Sequence, residues 1–290
     1  MTGVTTTYSR GAQNMVTVTG ATGTMHYRVG TSGSWTTTIP TRTTVGSDTI
    51  YYYMDASTNY TARGSSSSPW GNVTGTVNKA TPVVSTNPSN TSPTYNGSAQ
   101  NLLSGGAYKH SASDSTAVAG TFTYQQGTNA GDYNNPTWTF TPTDTTNYNS
   151  VNGTRSNTKT TIAKAALSSV TITLSWTSKA YNGSAQVPTA TVKSGSTTLT
   201  SGTHYTLSYT NSSSKNAGTY TITANAGSNY SFTAVSANYS ITKIDPTYTA
   251  PTAKSGLVYS RGSQTLYNAG SNTTAGSFSY SNDTRTNAGS

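Results

Sequence analysis

The sequence contains no cysteine and no glutamate, and only 8% of its residues are charged. Without cysteine, neither disulfides nor thiolate metal sites can form. Exposed small domains in oxidising compartments often depend on disulfides. The absence of cysteine therefore indicates a chain that folds in a reducing cytoplasm or does not need disulfides.

Long apolar runs are also missing. No stretch approaches the 18 apolar residues that a membrane-spanning helix needs. The first eight residues have neither the basic nor the apolar segment of a secretory signal. Good helix formers are scarce, while Gly, Thr, Ser and Asn are spread throughout. We therefore expect no membrane insertion and almost no helix.

The apolar content is low, but its kind favours a folded chain. Leu, Ile, Val and Phe together make up about 12% of the residues, below the ~20% that usually marks disorder. However, the chain has 21 tyrosines, abundant threonine and a net charge of only +9. Because Tyr and Thr suit a pleated, half-buried surface, the composition predicts thin, tyrosine-rich β cores.

One motif occurs four times along the chain. It starts with Tyr and ends with Gln five residues later: Tyr8-Ser9-Arg10-Gly11-Ala12-Gln13, Tyr95-Asn96-Gly97-Ser98-Ala99-Gln100, Tyr181-Asn182-Gly183-Ser184-Ala185-Gln186 and Tyr259-Ser260-Arg261-Gly262-Ser263-Gln264. The Asn-Gly pairs predict tight turns, because such a pair tolerates positive φ at both central residues. In the first and fourth copies Arg replaces Gly, which weakens that turn prediction.

Two further motifs follow in a fixed order. The second is Val45-Gly46-Ser47, Asn129-Ala130-Gly131-Asp132, Asn216-Ala217-Gly218-Thr219 and Asn287-Ala288-Gly289-Ser290. The third is Asn59-Tyr60, Asn147-Tyr148 and Asn229-Tyr230, and each of these three repeats closes on a strand that ends in Lys79, Lys164 or Lys243. Ordered recurrence of this kind indicates internal duplication.

Strands are predicted where apolar and polar residues alternate. The clearest case is Val170, Ile172, Leu174 and Trp176, and the others are Met25-Tyr27-Val29, Ile50-Tyr52-Met54, Phe122-Tyr124, Trp138-Phe140, Tyr205-Leu207-Tyr209 and Tyr220-Ile222-Ala224. Several short strands within ~80 residues favour a small sandwich.

The domain boundaries follow from the motif spacing. We expect repeats at 1–80, 81–165 and 166–244, with proline-containing joints at Pro82 and Pro246 that would give an extended rod. The fourth repeat, 245–290, is incomplete because its last strands are missing. Either this is the boundary of a gene fragment, or another chain supplies the missing strand by β-augmentation.

These motifs resemble the MBG/YDG-type bacterial immunoglobulin-like repeats over nearly the whole chain. The Tyr-Asn-Gly-Ser-Ala-Gln turns, the Asn-Ala-Gly-Thr-Tyr stretch at 216–220 and the segment 139–148 carry the resemblance. It implies an all-β chain of tandem immunoglobulin-like sandwiches, of the kind found in bacterial surface proteins and in virion proteins of gut phages, and it implies no catalytic residues.

Catalytic chemistry is not expected. The three histidines fall at unrelated places in different repeats, whereas a metal site needs three or four converging ligands. The seven aspartates lie mostly beside turn residues, no nucleophile elbow or phosphate loop occurs, and the 16 Lys and Arg residues are spread singly. We therefore predict no enzyme, cofactor, metal or nucleic-acid site, although the diffuse positive charge could favour acidic glycans.

Two segments are candidates for ligand binding. Tyr51-Tyr52-Tyr53 puts Tyr on both faces of one strand, so either Tyr52 or the pair Tyr51 and Tyr53 faces solvent. These rings either extend the core or stack on sugars or a partner. The loop 62–71 carries Arg63 and places Trp70 after a serine run, where binding residues on a rigid sandwich often lie.

The expected function is that of a non-enzymatic structural and adhesive protein of a phage virion surface, such as a head fibre, decoration or tail-associated protein. The alternative is a fragment of a secreted bacterial surface adhesin or stalk. Expected partners are other virion or surface proteins, cell-surface or mucosal glycans, and the chain itself through an open C-terminal sheet edge.

Overall fold

The computed structural model describes residues 1–272 and 276–289. All elements of regular secondary structure in these ranges are β-strands, as the composition predicts. Among the described residues there is no helix that could cross a membrane. The chain divides into two compact units. Unit one is Met1–Ala166 with Ser228–Ser231, and unit two is Leu167–Gly227 with Phe232–Ser290.

The strands are short and follow one another closely. The first twenty are β1 (Thr2–Gly3), β2 (Thr5–Thr7), β3 (Gln13–Asn14), β4 (Val16–Thr17), β5 (Met25–Val29), β6 (Thr41–Arg42), β7 (Gly46–Met54), β8 (Gly71–Asn78), β9 (Val83–Thr86), β10 (Ser89–Asn90), β11 (Gln100–Asn101), β12 (Leu103–Ser104), β13 (Ala107–Lys109), β14 (Gly120–Tyr124), β15 (Gln126–Gly127), β16 (Gly131–Asn134), β17 (Thr137–Pro142), β18 (Val151–Thr154), β19 (Lys159–Ile162) and β20 (Ala165–Ala166). The remainder are β21 (Val170–Leu174), β22 (Ser178–Ala180), β23 (Ala190–Ser194), β24 (Thr197–Thr198), β25 (Tyr205–Tyr209), β26 (Gly218–Ala226), β27 (Tyr230–Ser231), β28 (Val235–Thr242), β29 (Tyr248–Thr249), β30 (Thr252–Ala253), β31 (Gln264–Thr265), β32 (Tyr267–Asn268), β33 (Ser271–Asn272) and β34 (Thr284–Arg285).

Repeat one is built on a four-stranded sheet in the order β2-β8-β7-β5. Strand β2 runs parallel to β8, and the other pairs are antiparallel. Three inward residues, Tyr27 of β5, Ile50 of β7 and Val77 of β8, pack with Met15 and Val16 in one core. Side chains alternate along a strand. As expected, the residues of the Ile50-Tyr52-Met54 pattern therefore share one face of β7, and those of the Met25-Tyr27-Val29 pattern share one face of β5.

Unit two repeats this arrangement. Its larger sheet has the order β22-β28-β26-β25, again with the first strand parallel to the second, and a second sheet has the order β21-β23-β24. Val192 and Ile222 are fully buried in its two neighbouring clusters. The strand order that recurs in both units follows directly from the sequence duplication.

Repeat two has similar strands, but they are divided among separate small sheets. Strands β14, β17 and β18 make one sheet, while β16 pairs with β19. Asn135 and Asn157 have positive φ at the break, and Asn135 Oδ1 accepts a hydrogen bond from the Asn157 backbone N–H at 2.8 Å. The core is aromatic, with Phe140 stacked on Tyr108 at 4.5 Å between ring centroids.

The last segment forms only two-residue pairings among its described residues, 245–272 and 276–289: β29 with β33, β30 with β32 and β31 with β34. Leu257, Val258 and Tyr259 are exposed there. Ser290, the final residue of the second motif, lies outside the described residues.

The first motif builds the same turn in all four copies. Gly97 and Gly183 have φ of +83°, and the residues at the same position in the other copies, Arg10 and Arg261, have φ of +68° and +61°. The turn therefore forms in the arginine copies as well, where the sequence predicted it less firmly. Only the second central residue has a positive φ, because Asn96 and Asn182 are not left-handed. One positive φ near +80° at the second central position is typical of a type II turn.

Side chains of the motif hold this turn closed. In each copy the final Gln donates its amide N–H to a backbone carbonyl six residues earlier, at 2.7 Å for Gln13, 3.0 Å for Gln100 and Gln186, and 2.8 Å for Gln264. Where Asn precedes Gly, its Oδ1 accepts from the Ser N–H two residues on, at 2.9 Å. These side-chain bonds explain why the sequence keeps Asn and Gln at fixed spacing.

The third motif accepts hydrogen bonds at a joint within unit one. The Asn147 Oδ1 accepts from the Val45 backbone N–H at 2.8 Å, and the Asn229 Oδ1 accepts from the Ala130 N–H at 2.8 Å. Each acceptor is thus the Asn of an Asn-Tyr pair, and each donor lies in the second motif of the preceding repeat.

The tyrosines of the first and third motifs complete the joint. The Tyr8 and Tyr148 rings meet edge to face at 5.4 Å, and so do Tyr95 and Tyr230 at 5.4 Å. Beside them, the residue after the closing Lys pairs in parallel with the Asn-Tyr loop, as Ala80 with Tyr148 and Ala165 with Tyr230. We call this recurring set of contacts the Asn-Tyr joint.

Candidate functional site

The outer face of the β5–β7 pair in repeat one carries an aromatic and charged layer. In the strand register His26 lies opposite Tyr53, and Arg28 lies opposite Tyr51. Since neighbouring residues of a strand point to opposite faces, Tyr27 and Tyr52 point the other way and pack in the core. With Trp35 and Asp55, the outward residues form what we call the outer-face cluster: His26, Arg28, Trp35, Tyr51, Tyr53 and Asp55.

Ring contacts organise one half of the cluster. The His26 imidazole stacks on the Tyr53 ring at 4.4 Å with an interplanar angle of 3°, and Trp35 meets Tyr53 edge to face at 4.7 Å. The Asp55 carboxylate lies 2.7 Å from His26 Nε2, which orients the imidazole over Tyr53. The rings are half-buried, so part of each remains accessible.

Arg28 organises the other half. Its guanidinium carbon lies 4.8 Å from the Trp35 ring centroid and 5.4 Å from that of Tyr51. The Arg28 Nε is buried and has no hydrogen-bond partner among the described residues. Contact of a guanidinium with aromatic faces is attractive, and this contact holds the two rings beside a fixed positive charge.

The equivalent strand pairs of repeats two and three lack this layer. The equivalent outward positions of the β14–β17 pair in repeat two are Thr121, Thr123, Thr139 and Thr141. Those of the β25–β26 pair in unit two are Thr206, Ser208, Thr223 and Asn225. Small polar side chains are sufficient to cover the outer face of these sheets, so the sheet itself does not require the aromatic layer of repeat one.

The candidate residues of the sequence are thereby placed. Of the three neighbouring tyrosines, Tyr51 and Tyr53 lie on the outer face, while Tyr52 packs against the core. Sequence reasoning missed their partners His26, Arg28, Trp35 and Asp55. The alternation in Met25–Val29 could have assigned His26 and Arg28 to an outward face, but only the strand register sets them against these tyrosines.

The loop with Arg63 and Trp70 lies elsewhere, at the end of repeat one that also carries Tyr60. The Arg63 backbone pairs with Met54, and the serine run is a hydrogen-bonded turn in which Ser65 N–H donates to Ser68 O at 2.9 Å. Trp70 stands edge to face with Tyr52 at 5.7 Å, and Arg63 lies over its ring at 5.7 Å. Beside them is a cavity of about 300 Å³, which we call the end groove; its lining includes Met25, Met54, Tyr60, Arg63 and Trp70.

Two aspartates are engaged in structural contacts that shift the pKa of their carboxyl groups. Asp132 pairs with Lys159, and that hydrogen bond lowers the pKa of the carboxyl. The side-chain amide of Asn147 lowers the pKa of Asp144 in the same way. No group of three or more His, Cys, Asp or Glu that could hold a metal converges in residues 1–272 and 276–289.

The outer-face cluster is therefore suited to binding. Aromatic faces present apolar area at low entropic cost, while the imidazole, carboxylate and guanidinium at their edges supply hydrogen bonds and charge. No model of a known family and no curated protein matches this sequence.

Proposed function

We propose that this chain is a non-enzymatic structural and adhesive surface protein whose outer-face cluster binds carbohydrate. The observation that carries the proposal is the aromatic layer of repeat one, at positions where repeats two and three hold Thr, Ser and Asn. A binding face on one module, carried by plain modules of the same fold, fits an adhesive spacer.

The proposal also includes the fold of the individual repeats. The recurring strand order β2-β8-β7-β5 and β22-β28-β26-β25 supports tandem immunoglobulin-like sandwiches of the MBG/YDG type. The extended rod expected from the short joints can be tested by small-angle X-ray scattering, from which a rod and a globule of 30.1 kDa give clearly different maximum dimensions.

The cluster matches the chemistry of sugars. A pyranose ring presents an apolar C–H face that packs on aromatic rings and hydroxyls that bond to Asp, His and Arg. Each such contact is weak, and several copies on one surface add avidity. The net charge of +9 would further favour acidic glycans through long-range attraction.

The proposed place of action is a phage virion surface, as part of a head fibre, decoration or tail-associated structure. A cysteine-free chain assembled in a reducing cytoplasm fits this setting. The second candidate, a piece of a secreted bacterial adhesin or stalk, would use the same binding face. Mass spectrometry of purified virions, set against the cell-wall fraction of the host, separates the two.

The binding test is a glycan array probed with the full chain, followed by titration of the best neutral and sialylated oligosaccharides. We expect Trp35→Ala and Tyr53→Ala each to weaken binding about three- to tenfold, because each removes a ring face worth about 0.5–1.5 kcal/mol. The matched control is Ser208→Ala on the outer face of unit two, which should bind as the native chain does. Equal binding by the native chain and all three variants would contradict the proposal.

A further inference from the structure

The Asn-Tyr loop of repeat one has the sequence of a joint acceptor but lacks the joint. The side chains of Asn59 and Tyr60 make no hydrogen bond or ring contact among the described residues. Tyr60 is 58% exposed, whereas its counterpart Tyr148, which lies in a formed joint, is 5% exposed. The ring and the amide oxygen of this loop are thus unused, whereas the corresponding groups are buried in repeat two and half-buried in repeat three.

The surroundings of Tyr60 leave room for a partner. The end groove of about 300 Å³ adjoins the Tyr60 ring and has apolar walls that include Met25 and Met54. In the formed joint, the ring of Tyr8 stands against Tyr148, and Arg10 Nε donates to the Tyr148 hydroxyl at 2.8 Å. A tyrosine from a partner would fill the corresponding space against Tyr60.

Unit two carries the complementary half. In repeat three the donor position equivalent to Val45 and Ala130 is Ala217, which is exposed and whose N–H has no hydrogen bond among the described residues. Ile244, which follows the closing Lys243, is 48% exposed, whereas Ala80 at the same place in a formed joint is 3% exposed. Tyr181 of the first motif completes the set of donor residues.

We propose that two copies of this chain associate head to tail, with Asn59-Tyr60 of one copy forming an Asn-Tyr joint on the Tyr181, Ala217 and Ile244 end of the other. The two joints within unit one are the template for this contact. Each copy carries one acceptor site on repeat one and one donor site on repeat three, so the contact is heterologous and leaves one site of each kind unfilled in a pair. Such a contact grows into short chains rather than closing into a dimer. The proposal stands apart from carbohydrate binding, which uses the outer-face cluster.

The strength of the contact can be bounded. The joint contains one side-chain hydrogen bond, one ring pair and a short backbone pairing, so the interface is small and association must also offset lost rotational and translational freedom. We expect a dissociation constant on the order of 10 μM to 1 mM. Because each copy carries a net charge of +9, the copies repel one another and added salt should strengthen association.

The test is sedimentation velocity of the full chain over a wide concentration range. We expect the average mass of the native protein to rise with concentration beyond that of a dimer. Tyr60→Ala should weaken association about tenfold, and Ala217→Pro, which removes the donor N–H, about fivefold. Tyr209→Ala removes a tyrosine of similar exposure (40%) outside the joint, and it should associate as the native chain does.

Cross-linking tests the register of the contact independently. Because the chain has no cysteine, Asn59→Cys mixed with Ala217→Cys should give a disulfide-linked heterodimer on mild oxidation. Asn59→Cys mixed with Ser208→Cys should give only background levels. A native chain that stays monomeric up to about 1 mM, equal association of Tyr60→Ala and Tyr209→Ala, or equal cross-linking of the two mixtures would each overturn the proposal.

Discussion

At the scale of single residues, this chain repeatedly uses the left-handed backbone region. The first motif places Gly97 and Gly183 there, but also Arg10 and Arg261. A side chain in this region costs about 1–2 kcal/mol. At Arg10 this cost is offset where the guanidinium donates to the Tyr148 hydroxyl and pairs with Asp114 at 3.4 Å. The arginine that departs from the Asn-Gly turn pattern thus serves the joint.

Gly183→Ala isolates this backbone cost. An added Cβ would meet nothing within 4 Å, so the substitution changes only the strain at φ +83°. We expect it to lower the free energy of unfolding by about 1 kcal/mol. The control is Gly11→Ala, which is also free of contacts and is not left-handed, and which should be neutral or slightly stabilising. Chemical denaturation measures both, and equal effects would contradict the strain argument.

Asp144 makes the first Asn-Tyr joint sensitive to acid. The Asn147 amide donates to Asp144 Oδ2 at 2.8 Å and lowers the pKa of that carboxyl. A carboxyl with a depressed pKa contributes stability above its unfolded pKa of about 3.9. That stability is lost as pH falls through the lower folded value. We expect the melting temperature to fall as the pH drops below about 4, and to fall less in Asp144→Asn. An unchanged pH profile in that variant would show that Asp144 does not contribute.

At the scale of elements, three separate sequence motifs come together in one joint. In repeats two and three, the Asn of the Asn-Tyr pair accepts a hydrogen bond from a backbone N–H of the second motif, and its Tyr contacts the Tyr of the first motif. Lys79 adds a hydrogen bond from Nζ to Thr145 O at 2.7 Å. The residues that recur most faithfully therefore serve turns and joints, while the hydrophobic core residues vary between repeats.

Removing the joint acceptor should be costly where the joint is formed. Asn147→Ala leaves the Val45 N–H without its partner, and we expect a loss of about 1–2 kcal/mol in unfolding free energy. The same change at Asn59, whose side chain is unengaged, should cost less than about 0.5 kcal/mol. Hydrogen exchange at the Val45 amide should quicken in Asn147→Ala alone. Similar losses at both positions would mean that the joint bond is not what stabilises Asn147.

At the scale of the whole molecule, the chain is two compact units with separate cores. Each contains a sheet of the same strand order, but only unit one carries the outer-face cluster. The repeats therefore share one scaffold, and repeat one differs from repeats two and three in the side chains on its outer face. In repeat architectures, stability is approximately the sum of local terms.

Ile222→Ala tests whether the cores are independent. Ile222 is fully buried in unit two, and truncating such a residue costs about 2–5 kcal/mol. We expect amide exchange to quicken around Ile222 and to stay unchanged at Ile50, in the core of repeat one. Loss of protection at both positions would show that the two units unfold as one.

The sequence by itself determined the all-β class, the alternation of the main strands and the recurrence of the motifs. These follow from local patterns, since side-chain period and duplication are visible in one dimension. It limited the outward choice in one strand to either Tyr52 or the pair Tyr51 and Tyr53, and it placed Arg63 and Trp70 in a loop. It predicted the turn less firmly in the arginine copies, and the contacts that Arg10 makes with Tyr148 and Asp114 link positions far apart in the chain.

Only the tertiary structure decided what the motifs are for. The pairing of Tyr51 with Arg28 and of Tyr53 with His26 depends on strand register, and Trp35 reaches them from outside the pair. The Asn-Tyr joint links residues about a hundred positions apart, such as Val45 and Asn147. Periodicity shows which face a side chain takes but not its neighbour across strands or repeats, because that neighbour is fixed by packing of distant segments.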